Sequence, residues 1–268
     1  MFKKTIMERR LHCSMRHSYG FRAAIGLSLL LATLLWQPSS ATAAEGLRIA
    51  VAANFIQATK ELTQDFEKQT GLKVEATFAS SGSLYAQIVN GAPYDLFLSA
   101  DEERPAKLNE EEHADKPFVY ARGRVVLWSA RKNFCQAGQW QQALADPGIR
   151  KIAVANPETA PYGTAARAAL QKAALWDSGQ GKRVIAQDIA QAFQYASTEA
   201  VDGAFCAFSS VLTEQGRMGC YYEILEAPEI VQSACVLKRT KDRAGAERFA
   251  AFLISAPAAA VKAKYGYR

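Results

Sequence analysis

The residues that decide the fold are LRIAVAANFIQATKELTQDFEKQTG, at positions 47–71. The first seven are apolar except for Arg48, which is typical of a strand buried on both faces. Asn54 follows as a favoured N-cap residue, and Gly71 is a favoured helix end. Between them, apolar side chains recur at helical spacing, at Phe55, Ala58, Leu62 and Phe66. The stretch therefore predicts a buried strand that leads into an amphipathic helix.

The same alternation of strand and helix patterns continues to the end of the chain. Further strands are predicted at Leu72 to Phe78, Asp95 to Ala100, Val125 to Trp128, Ile152 to Ala155, Gly203 to Phe208, Tyr221 to Leu225 and Ile230 to Leu237. Helices are predicted at Leu84 to Val89, at Thr164 to Trp176, from near Asp188 and on both sides of Pro257. Strands alternating with helices indicate parallel sheets with crossover helices, the α/β class. Either one large domain or two smaller lobes is compatible with this length.

The positive charge of the chain is concentrated at its N-terminus. The 268 residues carry a formal net charge of +6, but residues 1–43 hold six of the 32 basic residues and only one of the 26 acidic ones. The remaining residues are close to neutral, so the charge gives no indication of a nucleic-acid partner.

Residues 1–43 have the pattern of a signal peptide. A basic stretch up to Arg22 precedes an apolar segment from Ala23 to Trp36, and Ala41-Thr42-Ala43 matches the small-residue cleavage pattern. The apolar segment is shorter than the ~20 residues that a membrane span needs. We therefore expect cleavage near Ala43 and a protein located in the periplasm; the alternative is an uncleaved membrane anchor.

The five cysteines divide in the same way. Cys13 lies in the leader, which leaves Cys135, Cys206, Cys220 and Cys235. Four cysteines in an exported chain permit disulfides, with three full pairings that the sequence does not distinguish, and buried reduced cysteines are an equal alternative.

The groups that common enzyme mechanisms require are scarce. His113 is the single histidine after the leader, and neither GxxxxGK[ST] nor GxGxxG occurs. Histidine-based catalysis, an HExxH zinc site and nucleotide binding therefore have little support. Asp95 and Asp101 could be imagined as an acid–base pair, but structural roles are expected for both. The sequence predicts a protein that is not an enzyme.

Small neutral residues stand at several junctions between strands and helices. These junctions are Ala53-Asn54, Ser80-Ser81-Gly82-Ser83 and Pro161-Tyr162-Gly163; Asp188-Ile189 is a less clear fourth, since Asp188 would repel an anion unless it faces away. A helix N-terminus presents unpaired N–H groups and the positive end of the helix dipole. Several that converged on one cleft would bind an oxyanion without a charged side chain. Taken singly, each junction is more simply explained as a helix cap.

Four motifs together carry a family resemblance. They are AANF at 52–55, FASSGS at 78–83, QIVNGAPYDLFLSAD at 87–101 and NPETAPYG at 156–163, and the chain ends in YGYR. In order and spacing, across nearly the whole chain after the leader, they resemble the periplasmic molybdate-binding proteins of ABC transporters. The asparagine after the first strand resembles one branch of that family.

The resemblance implies a two-lobed periplasmic binding protein of type II. Each lobe would be a mostly parallel sheet flanked by helices, with the ligand in the cleft between the lobes. Lobe 1 is expected to comprise residues 44–124 and 232–268, and lobe 2 residues 125–231.

The resemblance also implies four ligand contacts. Asn54 and Ser81 would supply side-chain donors from lobe 1, and Tyr162 and Ile189 backbone N–H donors from lobe 2. Two positions depart from the family pattern. Ala53 lacks the hydroxyl that can precede the asparagine, and Cys206-Ala207-Phe208 replaces a segment in which many members carry a tyrosine.

The function implied is capture of molybdate, and of tungstate as well, for delivery to an inner-membrane ABC permease. We expect a monomer with no cofactor, no metal-cation ligands and no nucleic-acid partner. One alternative is a protein of the same fold for sulfate, a metal ion or an organic acid. A metal ion would need His or carboxylate clusters, and an organic acid an arginine fork. A more remote alternative, a secreted hydrolase using Ser81 or Ser83, lacks a histidine base and a GxSxG motif.

Overall fold

The opening apolar run forms the first strand, as its pattern predicts. The computed structural model describes residues 46–268, so the predicted signal peptide, its cleavage near Ala43 and Cys13 lie outside the described residues. The strands are β1 (Leu47–Ala52), β2 (Val74–Ala79), β3 (Leu96–Leu98), β4 (Phe118–Gly123), β5 (Val125–Ser129), β6 (Ile152–Ala155), β7 (Arg183–Ala186), β8 (Gly203–Ala207), β9 (Cys220–Glu223) and β10 (Ile230–Val236).

Helices occupy most of the connections between these strands. The α-helices are α1 (Ile56–Thr70), α2 (Ser81–Val89), α3 (Glu103–Glu110), α4 (Trp140–Ala145), α5 (Pro161–Lys172), α6 (Ile189–Ser197), α7 (Phe208–Val211), α8 (Glu214–Arg217), α9 (Arg243–Leu253) and α10 (Ala256–Lys264). Short 3-10 helices cover Ala53–Phe55, Lys132–Gln136 and Gln180–Lys182.

The ten strands form two five-stranded sheets. The order is β2-β1-β3-β10-β4 in the first sheet and β7-β6-β8-β5-β9 in the second. In the first sheet β10 is antiparallel to both neighbours, and in the second β5 is. The other four strands of each sheet therefore run in one direction, which confirms the prediction of an α/β protein with mostly parallel sheets.

The chain passes between the sheets twice. β4, which belongs to the first sheet, ends at Gly123, and β5, which belongs to the second sheet, begins at Val125. The return runs from β9, which ends at Glu223, to β10, which begins at Ile230. β10 thus carries the C-terminal part of the chain back into the first sheet.

Some element limits differ from the sequence prediction for physical reasons. The helix expected from Thr164 begins at Pro161, because proline suits the first helical turn, and it ends at Lys172 instead of Trp176. β4 and β7 were not predicted, since charged residues interrupt their short apolar patterns at Arg122 and Arg183.

One apolar cluster contains residues carried by both sheets. Ala52 ends a strand of the first sheet, Ala53 and Ala100 follow strands of that sheet, and Tyr162 and Ile189 lie in the first turns of helices that follow strands of the second. All five are at most 6% exposed. The helix starts that the sequence analysis selected therefore lie beside this shared core.

One disulfide, Cys135–Cys220, joins the 3-10 helix Lys132–Gln136 to the start of β9. Cys206 and Cys235 are buried free thiols, so the described cysteines adopt one bond and not a full pairing. Over residues 46–268, no individual helix is both long enough and apolar enough to cross a membrane; the pair α9 and α10 meets that test only jointly, with a 60° bend between them.

Candidate functional site

Asn54 lies in the 3-10 helix between β1 and α1, and its side chain does not cap a helix. α1 begins without a side-chain cap, which corrects the expectation that Asn54 is its N-cap residue. Asn54 is 6% exposed, and its Nδ2 lies 2.8 Å from Gln232 Oε1, 3.2 Å from Tyr267 Oη and 3.4 Å from Tyr162 Oη. The side chain is therefore held in a buried polar cluster.

This cluster joins residues from both sheets and was missed by the sequence analysis. Its members are Asn54, Tyr120, Tyr162, Ser209, Gln232 and Tyr267. Ser209, which follows β8, donates to the Asn54 carbonyl oxygen at 3.0 Å, and Tyr267 Oη donates to the same oxygen at 2.6 Å. The 3-10 helix before α1 is thereby bonded to α7, which follows the second sheet, and to Tyr267 near the C-terminus.

Burial keeps the cluster uncharged. It raises the pKa of Tyr120 and Tyr162 well above the usual value for tyrosine, and that of Tyr267 to about 12. Neighbouring tyrosines raise the pKa of Tyr162 further. All three hydroxyls are therefore protonated at neutral pH and available as hydrogen-bond donors.

Ser81 begins α2 and is fully buried. Ser80, not Ser81, caps the helix by accepting from the Ser83 N–H. Ser81 Oγ accepts from the Ala100 N–H at 2.9 Å, and its own hydroxyl proton has no acceptor within residues 46–268. Ser81 can therefore donate from both its side chain and its backbone.

Tyr162 stands at the second position of α5, directly after Pro161. Its hydroxyl reaches the polar cluster because Gly123, the last residue of β4, has no side chain: a Cβ there would lie 2.1 Å from Tyr162 Oη. The family resemblance assigns Tyr162 a backbone contact, and the structure adds this side-chain role in the cluster.

Ile189 is the first residue of α6, and Asp188 caps that helix. The Asp188 carboxylate accepts from the Gln191 N–H at 2.9 Å, so it is engaged by its own helix. A helix start with a negative cap still presents the Ile189 N–H.

The backbone N–H groups of all four predicted residues are unpaired. A helix offers no internal acceptor to its first N–H groups. Within residues 46–268 those of Asn54, Ser81, Tyr162 and Ile189 find no acceptor elsewhere either. Each of the four helix starts can therefore donate to a ligand.

Hydrogen bonds and one groove bring these helix starts together in pairs. Asn54 and Tyr162 meet at 3.4 Å through their side chains. Beside Ser81, the Gly82 N–H donates to the Thr159 carbonyl oxygen at 2.8 Å, three residues before Tyr162. Asn54 also lines a groove of about 460 Å³ with Ala190, the neighbour of Ile189. Ser81 itself contacts Ala100 and none of the other three side chains.

Asp95 and Asp101, the pair that could be imagined as an acid and a base, have structural partners. Asp95 accepts from the Arg48 N–H at 2.7 Å and from Thr240 Oγ1 at 2.6 Å, and Asp101 pairs with Arg104 at 2.5 Å. No group of three or more His, Cys, Asp or Glu side chains in the described part of the chain could hold a metal ion. Cys206 is fully buried, and its burial raises the pKa of the thiol.

Comparisons with known proteins place the chain in a class. A family model described as "Bacterial extracellular solute-binding protein" matches residues 47–268. The chain belongs to this family, whose fold of two mixed sheets flanked by helices it shares.

More similar relatives narrow the assignment. The chain is 37% identical to the Molybdate-binding protein ModA of Azotobacter vinelandii, a match that covers 85% of this chain and 91% of that protein. It is 36% identical to the Molybdate-binding protein ModA of Rhodobacter capsulatus, covering 81% and 86%. The solved structure of the Azotobacter vinelandii periplasmic molybdate-binding protein matches with a TM-score of 0.78 at 36% identity, covering 83% of this chain and 98% of that one. Within its family the chain is therefore a homologue of the ModA proteins.

Proposed function

We propose that this protein captures molybdate outside the cytoplasm and delivers it to an inner-membrane ABC permease, and that it takes tungstate as well. The observation that carries the proposal is the set of four unpaired helix N-termini at Asn54, Ser81, Tyr162 and Ile189. They follow strands of both sheets and are the positions to which the family resemblance assigns the ligand contacts. The names of the ModA relatives support the same ligand.

The chemistry of the donors fits a fully deprotonated oxyanion. Backbone N–H groups at helix starts carry the positive end of the helix dipole, and they stabilise an anion without a charged side chain. Ser81 adds a free hydroxyl proton. A site made of donors suits molybdate, whereas protonated phosphate also needs an acceptor for its own proton.

Binding would be coupled to closure of two lobes. We assign residues 44–124 and 232–268 to lobe 1 and residues 125–231 to lobe 2. An anion that accepts bonds from Asn54 and Ser81 on one side and from Tyr162 and Ile189 on the other binds the closed state more tightly than the open one. The protein acts as a monomer, since one chain supplies every donor.

Calorimetric titration of the purified protein, residues 44–268, tests this function. We expect one molybdate or tungstate per chain and no saturable binding of phosphate. Equal affinity for molybdate, tungstate, sulfate and phosphate would contradict a selective site, and no binding of molybdate would contradict the function.

Export by a cleaved signal peptide completes the proposal. The extracellular family and the pattern of residues 1–43 both support export. We expect the mature protein to begin at Ala44 or Glu45. Intact mass of the protein recovered from the periplasm would contradict this if residues 1–43 were retained.

A further inference from the structure

The Asn54 amide leaves one atom unsatisfied. Nδ2 has three acceptors within 3.4 Å, while Oδ1 is buried without a hydrogen-bond partner in the described residues. An amide nitrogen carries only two protons, so one of its three contacts cannot be a full hydrogen bond. A buried acceptor without a donor is unfavourable, and at an anion site it would also face like charge.

Rotation of two amides together replaces the unsatisfied acceptor by a free donor, which a bound anion can accept from. If the Asn54 and Gln232 amides both turn by 180°, Gln232 Nε2 donates to Asn54 Oδ1 across the same 2.8 Å contact. Its second proton points to Tyr120 Oη at 3.1 Å, and Tyr120 can then donate to the Ser99 carbonyl oxygen at 3.2 Å. Gln232 Oε1 takes the place 3.4 Å from Tyr162 Oη, whose proton it accepts.

Asn54 cannot make this rotation alone. Turning only its amide would set Oδ1 against Gln232 Oε1 at 2.8 Å, which brings two acceptors together. The orientation of the Gln232 amide therefore decides whether Asn54 presents an acceptor or a donor at the unsatisfied position. Both orientations have the same shape, so no backbone movement is needed.

We propose that Gln232 is a positioning residue of the anion site, which turns together with Asn54 so that Asn54 offers Nδ2 to the bound oxyanion. The inference rests on the proposed function, because it assigns the free donor to the anion. Gln232 is fully buried in β10 and touches the anion only through Asn54. The titratable groups at the pair are Tyr120, Tyr162 and Tyr267, all protonated at neutral pH.

A double-mutant cycle tests the coupling without adding charge. Gln232→Met keeps the approximate size and removes the amide, and it is measured alone and with Asn54→Ala. We expect Gln232→Met to weaken molybdate binding several-fold, up to about 10-fold, in the otherwise natural protein and less than two-fold in the Asn54→Ala background. An equal loss in both backgrounds, or no loss in either, would overturn the proposal.

Tyr120→Phe is the matched control in the same cluster. Its hydroxyl lies 3.1 Å from Gln232 Oε1 and makes no contact with Asn54. Because this hydroxyl can donate to Gln232 in one orientation of the amide and accept from it in the other, its effect on affinity is expected to be additive with Asn54→Ala. The same coupling for Tyr120→Phe as for Gln232→Met would count against a specific role for Gln232.

Gln232→Glu supplies a pH readout that packing alone would not give. A carboxylate offers only acceptors and fixes Asn54 Nδ2 toward position 232, whereas the protonated acid can donate to Asn54 Oδ1 as the amide does. A buried glutamate can titrate as high as about pH 8–9. We expect affinity to fall as pH rises through that range, more steeply than in the Asn54→Ala, Gln232→Glu double variant, which retains charge repulsion alone. Parallel pH profiles would overturn the proposal.

The proposed function and the positioning role of Gln232 would be contradicted by different results. Lack of molybdate and tungstate binding by the unmodified protein would overturn the proposed function and this inference together. Normal binding by that protein, with additive variants, would overturn the inference alone. Should Gln232→Glu fail to fold, the neutral Gln232→Met cycle still decides the question.

Discussion

Asn54 connects the candidate site to the rest of the molecule through a few bonds. Its backbone N–H is unpaired, its carbonyl oxygen accepts from Tyr267 and Ser209, and its side chain lies against Gln232. Since this side chain caps no helix within residues 46–268, helix capping does not account for its place in the cluster, and we propose that ligand binding does.

Replacing Asn54 tests this role. Asn54→Ala removes a hydrogen bond to a charged ligand, which costs about 1.5–3 kcal/mol of binding free energy. Asn54→Asp should bind molybdate more weakly still, because it sets a negative acceptor where a donor is needed. Calorimetric titration measures both, and normal affinity in Asn54→Asp would remove Asn54 from the site.

The buried tyrosines predict a loss of stability at alkaline pH. The pKa of Tyr267 is raised to about 12 in the folded protein, against about 10 when unfolded. A raised pKa of an acid stabilises the fold below the unfolded value, and that contribution is lost as pH rises from 10 toward 12. Each such tyrosine adds up to about 1.4 kcal/mol per pH unit to the decline in unfolding free energy.

Tyr267→Phe isolates one of these contributions. Urea unfolding between pH 9 and about 11 should show a decline that is shallower by up to about 1.4 kcal/mol per pH unit. The buried thiols Cys206 and Cys235, whose pKa is also raised, contribute equally to both proteins and cancel in the difference. Tyr221→Phe, which alters a tyrosine that is 39% exposed, is the control; an equal change there would contradict the assignment.

At the scale of elements, the sequence predicts the helix starts and not the cluster behind them. Asn54, Ser81 and Tyr162 each follow a recognisable strand pattern, so local periodicity and capping preferences locate these helix starts, whereas the strand before Ile189 was not predicted. Gln232 and Tyr267 are hydrogen-bonded to Asn54 although they lie 178 and 213 positions away in the sequence. Local periodicity gives no information on contacts at such separations. The one local sign was a buried glutamine inside the apolar strand IVQSACV.

The disulfide shows the same limit of local patterns. Four cysteines leave the pairing open, and the fold selects Cys135 and Cys220 because the second sheet brings β9 beside the 3-10 helix Lys132–Gln136. Cys206 lies in the interior of β8 and Cys235 in that of β10, where each is fully buried.

Breaking this disulfide should lower stability and spare binding. Replacing both cysteines by alanine removes a crosslink between residues 85 positions apart, for which about 2–4 kcal/mol of unfolding free energy is typical. Neither cysteine hydrogen-bonds to the four predicted ligand residues, so molybdate affinity should change less than two-fold. Urea unfolding with and without reductant checks the first point. Four free thiols in the oxidised, denatured residues 44–268, instead of two, would contradict the pairing.

At the scale of the whole molecule, the candidate site takes its donors from segments that follow strands of both sheets, and the chain passes between these sheets twice. The donors of the candidate site follow β1 and β2 of the first sheet and β6 and β7 of the second. The Gly82 N–H donates to the Thr159 carbonyl oxygen, and a Cβ on Gly82 would lie only 3.0 Å from Thr159. The segments that follow β2 of the first sheet and β6 of the second are therefore in close contact. Under the proposed function, an anion held by residues of both sides would add its bonds to this arrangement.

Ligand-linked stability tests this arrangement in the intact protein. A ligand that binds only the folded state adds about 2.7 kcal/mol at 100 times its dissociation constant. For a domain of this size, that free energy corresponds to a rise of roughly 5–11 °C in melting temperature. We expect such a rise with molybdate and tungstate, since both are tetrahedral oxyanions without a proton at neutral pH, and little change with phosphate, whose proton would meet no acceptor.

Asn54→Ala should reduce the rise at a fixed molybdate concentration, because its weaker affinity lowers the ratio of ligand to dissociation constant. Thermal melts at matched ionic strength measure the shifts and remove general salt effects. Equal shifts with molybdate, tungstate, sulfate and phosphate would indicate binding by charge alone, and a full shift in Asn54→Ala would show that the bound anion does not rely on this residue.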